Sequence, residues 1–146
     1  MEGSNCINHI DINTFDFDVT VKMIKVAYSL DLLDYLNDYS DSLFERSKHI
    51  IKNDKKGYMC YNYSNKPLIY YYGYSLIMKG TAFKKSKNFI ASRNVISMYA
   101  DLSWFPGMNE KTRDYVERFA FFAKANILEL ELLSGNQEVM DDYLFF

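Results

Sequence analysis

The segment from about Asp18 to Asn37 carries apolar residues on two sides of a single helix, and this limits the folds open to the chain more than any other feature. Val19, Met23, Val26, Leu30 and Leu33 follow a 4-3-4-3 spacing, a heptad seam. Val21, Ile24, Tyr28, Leu32 and Tyr35 form a second stripe on the opposite side. Lys22, Lys25 and Ser29 part the stripes on one flank, and Thr20, Asp31 and Asp34 on the other. A surface helix needs one apolar face. A helix with two must be covered twice, either inside a bundle or by another chain.

Helical periodicity continues along the sequence. Ser42 and Glu45 fit a capping box that opens a second helix, with Leu43, Ile50 and Ile51 on its inner side and the charged run 52–57 ending it. A loop is expected over 54–66. The run KPLIYYYGYSLIMKGTAF (66–83) has strand propensity at its start. Its length, the proline at the first turn and the seven-residue spacing of Gly73 and Gly80 favour a helix instead. Two glycines on one apolar helix face cost stability and therefore imply close approach of another helix, or room for a ligand against bare backbone. A fourth helix is expected from Ser86 or Lys87 to Trp104, stopped by Phe-Pro-Gly. A fifth is expected from about Glu110 to Leu133, with Asn109 as N-cap and Gly135 as stop. It too is two-sided. Val116, Ala120, Ala123, Ile127 and Leu130 lie on one side, and Phe121, Ala125, Leu128 and Leu132 on another. No internal repeat or low-complexity segment is evident.

The expected class is therefore all-α, about five main helices in one domain over 1–146, with residues 1–14 as a flexible arm. Two double-faced helices in so small a bundle predict a homodimer, with Phe121, Ala125, Leu128 and Leu132 as its contact stripe.

Composition removes several function classes. The net charge of −2 gives no overall basic field for nucleic acid, and the cluster Lys79, Lys84, Lys85 and Lys87 reads as a solvated helix end. Two cysteines make no disulfide scaffold and are not in metal-ligand spacing. The first residues lack the pattern of a secretory signal, and the uncharged run Pro67–Met78 is too short and tyrosine-rich to span a bilayer, so a cytoplasmic protein is expected. Phosphate-loop, dinucleotide and zinc-protease motifs are missing. His49 is expected on a polar face beside Glu45, and His9 and Cys6 in the arm lack an ordered scaffold for catalysis. The expectation is no enzyme and no metal site. A globin-like stack would accept helices of this order, but 79–89 offers no iron ligand, so heme is not expected.

Three long stretches, FDFDVTVKMIKVAYSLDLLDYL, GYMCYNYSNKPLIYYYGYSLIMKGTAF and MNEKTRDYVERFAFFAKANILELELLSG, resemble the heme-less globin sensor domains of Bacillus sporulation control. Those are sporulation-inhibitory proteins similar to the sensor region of a sporulation histidine kinase. The resemblance implies a heme-less globin-like dimer that holds a fatty acid, with a halide ion nearby. It also implies a stand-alone decoy that inhibits sporulation by competing with the kinase. It supplies no matched binding residues, so these follow from physics. Gly73 and Gly80 would open space beside Leu76, Phe83, Met98 and Leu102 for an acyl chain. Arg93, Lys79 and the hydroxyls of Tyr70, Tyr71 or Tyr72 would meet the carboxylate or halide. The alternative is a helical interaction module of the viral apoptosis-inhibitor type, whose apolar groove binds a partner helix.

Overall fold

The computed structural model describes residues 12–53, 62–63 and 65–135. Five α-helices make up nearly all of it: α1 (Phe17–Ser29), α2 (Leu33–Asn53), α3 (Leu68–Lys85), α4 (Phe89–Tyr99) and α5 (Glu110–Leu133). A short 3-10 turn, Ile12–Thr14, precedes them. A two-residue antiparallel pair, β1 (Asn62–Tyr63) with β2 (Lys66–Pro67), leads into α3. The all-α class and the five helices agree with expectation; the described residues establish no globin arrangement. Residues 1–11 of the expected arm, Cys6, His9, Cys60 and 136–146 lie outside them, as does most of the expected loop over 54–66.

The first helix is shorter than its periodicity suggests. Asp31 takes φ 57, the left-handed turn that aspartate tolerates better than most residues. The Leu32 N–H then reaches back to the Ala27 carbonyl at 2.9 Å and Asp31 N–H to that of Tyr28 at 3.2 Å, a Schellman stop. The apolar pattern runs on because α2 begins at Leu33. The capping box at Ser42 and Glu45 is accordingly absent. Ser42 lies inside α2 and donates to Asn13 Oδ1 at 2.6 Å. Glu45 pairs with Lys48 rather than His49, whose ring lies against the Asn53 amide.

α3 ends by the same device as α1. Lys87 takes φ 61, Asn88 N–H reaches the Phe83 carbonyl and Lys87 N–H that of Lys84, both at 2.9 Å. Each of the hairpins α1–α2 and α3–α4 thus turns through three residues with the middle one left-handed. This repeat of structure has no counterpart in sequence identity. α4 stops at Tyr99, five residues before Trp104, because Asp101 accepts from Ser103 N–H at 3.0 Å and starts a turn. α5 keeps its expected bounds. Asn109 Oδ1 accepts from Thr112 N–H at 3.0 Å and Thr112 Oγ1 from Asn109 N–H at 2.6 Å, while Gly135 at φ 83 ends the helix. Asn109→Ala is expected to destabilise the fold by about 1 kcal/mol, read from the urea midpoint.

Paired contacts give the helix directions. Asp41 meets Lys79 and Phe44 meets Tyr72, so α2 and α3 are antiparallel. Arg93 meets Glu131 and Tyr99 meets Asn126, so α4 and α5 are as well. Across alternate helices the sense is parallel: Phe17 to Tyr71 and Tyr28 to Lys85 for α1 and α3, and Gly73 to Phe119 and Lys84 to Glu129 for α3 and α5. The helices α1, α3 and α5 therefore run side by side in one direction, and α2 and α4 run against them. The core lies along α3, where Leu68, Ile69, Tyr71 and Leu76 are fully buried.

Candidate binding groove

The glycine face of α3 is closed by helices. The Phe119 ring of α5 sits over Gly73 so closely that a Cβ there would be 2.3 Å from its Cζ. Gly80 faces α4, where Ser92 donates from Oγ to the Gly80 carbonyl at 2.8 Å. Close helix approach explains both glycines. The space expected beside them is filled. Only a void of ≈ 10 Å³ exists near Gly80, Ser92, Tyr99 and Asn126, room for about one water and far too little for an acyl chain.

The remaining expected ligand residues do not converge. Leu76 and Leu102 are fully buried, Tyr72 is buried against Phe44 and Phe105, and Phe83 is half-buried, all as ordinary packing. Met98 is exposed. Lys79 is held by Asp41 of α2, and Arg93 by Glu131 of α5, so the two cations serve different helix seams. Lys84 and Lys85 pair with Glu129 and Asp31, which leaves no continuous basic track there.

The tyrosines of 66–83 form a polar-tipped aromatic stack. Tyr70 lies on Tyr74 at 5.7 Å and meets Tyr115 at 5.9 Å, and Tyr115 lies on Phe119 at 6.3 Å. Tyr71 donates to Asp18 at 2.6 Å and accepts from Lys66 and Asn65 N–H at 3.1 and 3.2 Å. Burial, reinforced by that bond to Asp18, raises its phenol well above the ordinary range. Burial pushes Tyr74 up to about 12, with a further push from Tyr70. Tyr99 also rises to about 12 by burial, although the Asn126 amide bond opposes it. A phenol whose folded pKa exceeds its unfolded value of about 10 contributes stability that is complete below pH 10 and lost as pH rises toward 12. Alkaline titration should show part of the phenolate absorbance at 295 nm appearing together with loss of the helical circular dichroism.

Open space lies on the surface instead. The parallel helices α1, α3 and α5 together line a groove of ≈ 620 Å³ whose walls are mostly carbon. Tyr28 comes from α1, Tyr74, Ile77 and Met78 from α3, and Phe122 from α5. Lys25, Lys84 and Asn126, the last hydrogen-bonded to Tyr99 at 2.7 Å, are polar residues in its lining. Lys84 is engaged by Glu129 at 2.8 Å, whereas Lys25 enters no ion pair among the described residues. No family model, curated protein or solved structure matches this chain.

Sequence reasoning passed over Phe122 and Lys25 as groove residues because they come from helices far apart in the chain. Phe119 was passed over as well, although its place on one helical face with Tyr115, Ala123 and Leu130 could have pointed to it. Of the expected contact stripe, Phe121 is exposed, and Ala125, Leu128 and Leu132 are half-buried. Among the described residues no acidic, histidine and cysteine cluster suits a metal ion. No described helix is long and apolar enough to cross a membrane.

Proposed function

We propose that the protein is a non-catalytic binding module whose α1/α3/α5 groove takes a ligand with an apolar face and a carboxylate. The supporting observation is the Lys25 ammonium, which enters no ion pair among the described residues, beside a groove whose walls are mostly carbon. The occupant that suits this shape is an acidic amphipathic segment of a partner protein. A segment of that kind covers an open groove along its length, with apolar anchors set between Tyr74 and Phe122 and a carboxylate on Lys25. The closed interior weighs against a ligand buried beside Gly73.

A fatty acid is the second reading, and it too draws on Lys25, which would neutralise its carboxylate while Met78 and Phe122 flank the chain. In that form the module is the heme-less sensor that its sequence resembles. It would act as a decoy in sporulation control, competing with a sensor histidine kinase and binding a halide beside the lipid. Homodimerisation belongs to either form, with the α5 stripe and the outer face of α1 and α2 as the two apolar surfaces open to it.

Native mass spectrometry with lipid extraction, followed by binding of acidic amphipathic peptides, separates the readings. A co-purified fatty acid that is lost in Phe122→Asp selects the lipid form. Peptide binding abolished by Phe122→Asp and by Lys25→Glu, with no lipid present, selects the partner form. Neither ligand binding would sink the proposal.

A further inference from the structure

The part of the heptad seam that lies in α1 stays outside the core, whereas Leu33, in α2, packs against it. Val21 and Ile24 of the opposite stripe are buried, whereas Val19, Val26 and Leu30 are exposed, Leu30 by 64%. Beside the seam, Tyr35 and Tyr39 of α2 stack at 5.8 Å. Val19, Met23, Val26, Leu32 and these two tyrosines line an open groove of ≈ 360 Å³ that is separate from the one described above. An exposed apolar patch with a polar rim is the mark of an interaction surface.

The charges at the rim indicate what covers it. Lys22 stands on the α1 side of the groove, and Asp34 and Asp38, each next to a lining tyrosine, stand on the α2 side. All three are exposed, and none enters an ion pair among the described residues. One edge is thus basic and the other acidic. An apolar patch with opposite charge on its two edges is complementary to itself under a twofold rotation. With the axis lying in the interface parallel to the helices, α1 of one copy rests over α2 of the other. Lys22 then faces Asp34 and Asp38 twice, and the four helices form a bundle.

We propose that the α1/α2 face is the homodimer interface, with a second copy of this chain as its occupant. The inference rests on the dimeric part of the functional reading but not on the ligand groove, since Phe122 and Lys25 are not used. Sedimentation equilibrium of the full chain tests it, with circular dichroism confirming the fold of each variant. The wild type is expected to be a dimer. Val26→Glu should give monomers. Lys22→Glu alone, or Asp34→Lys with Asp38→Lys, should weaken the dimer roughly tenfold or more, because like charges then face each other. Combining the three charge changes should restore it. A monomeric wild type would overturn the proposal. So would a dimer insensitive to Val26→Glu, a dimer lost in Phe121→Glu (which assigns the contact to α5), or a combined charge variant as weak as its parents.

Discussion

Replacing Gly73 with alanine is expected to destabilise the fold by about 2–4 kcal/mol. The new methyl would lie 2.3 Å from Phe119 Cζ and 2.4 Å from Cε2, distances that force the ring to move. The ring is 4% exposed, between Tyr99 and Tyr115, so it has no free space to enter. Expelling a buried phenylalanine costs about 3–5 kcal/mol, and the better helix propensity of alanine returns about 1. Urea unfolding measures the net loss. Gly73→Ala combined with Phe119→Leu should lose less than the sum of the two single changes, because the smaller side chain leaves room for the methyl. Gly80→Ala is the contrast: its nearest neighbours would be 3.7–3.9 Å away, ordinary contact. It should stabilise by up to about 1 kcal/mol. If Gly73→Ala proves as stable as wild type, α5 does not pack on α3 as described.

The second large effect is expected at Tyr71. Its hydroxyl closes three bonds at once, to the Asp18 carboxylate and to the N–H groups of Asn65 and Lys66, and the side chain is fully buried. Tyr71→Phe preserves the packing against Phe17 at 5.1 Å but leaves Asp18 Oδ1 without its donor and takes one acceptor from the N–H groups of Asn65 and Lys66. Leaving such groups unsatisfied costs about 2–3 kcal/mol. Because Asp18 is near the start of α1 and Lys66 just before α3, the loss should appear locally as well as globally. Amide exchange at Lys66 should quicken by more than the change in global stability explains. A Tyr71→Phe variant within a few tenths of a kcal/mol of wild type would show that water replaces the hydroxyl and that the network is not a structural tie.

Both effects bear on what could be read in advance. The spacing of Gly73 and Gly80 is a local property, and it correctly indicated close helix approach. Which ring fills the space at Gly73 depends on α5, more than forty residues later. Both ends of α5 were legible, because Asn109 is a good N-cap and Gly135 takes a left-handed conformation freely. The stops of α1 and α3 were not, since Asp31 and Lys87 adopt that conformation only where the next helix folds back and packs. Expected ligand residues failed to meet for the same reason. A helical wheel places Lys79 and Arg93 on faces but says nothing of Asp41 and Glu131, which hold them.

Taken alone, the sequence determined the all-α class, the five helices, the full extent of α5 and the surplus of apolar faces. All of these follow from residue periodicity and short-range capping within one or two turns. Only the tertiary structure decided which stripe of α1 is buried and that the glycines are packed shut. It also decided that open apolar space lies across α1, α3 and α5 and along α1 and α2. Those outcomes depend on contacts between residues distant in the chain, and periodicity carries no information about which face meets which neighbour.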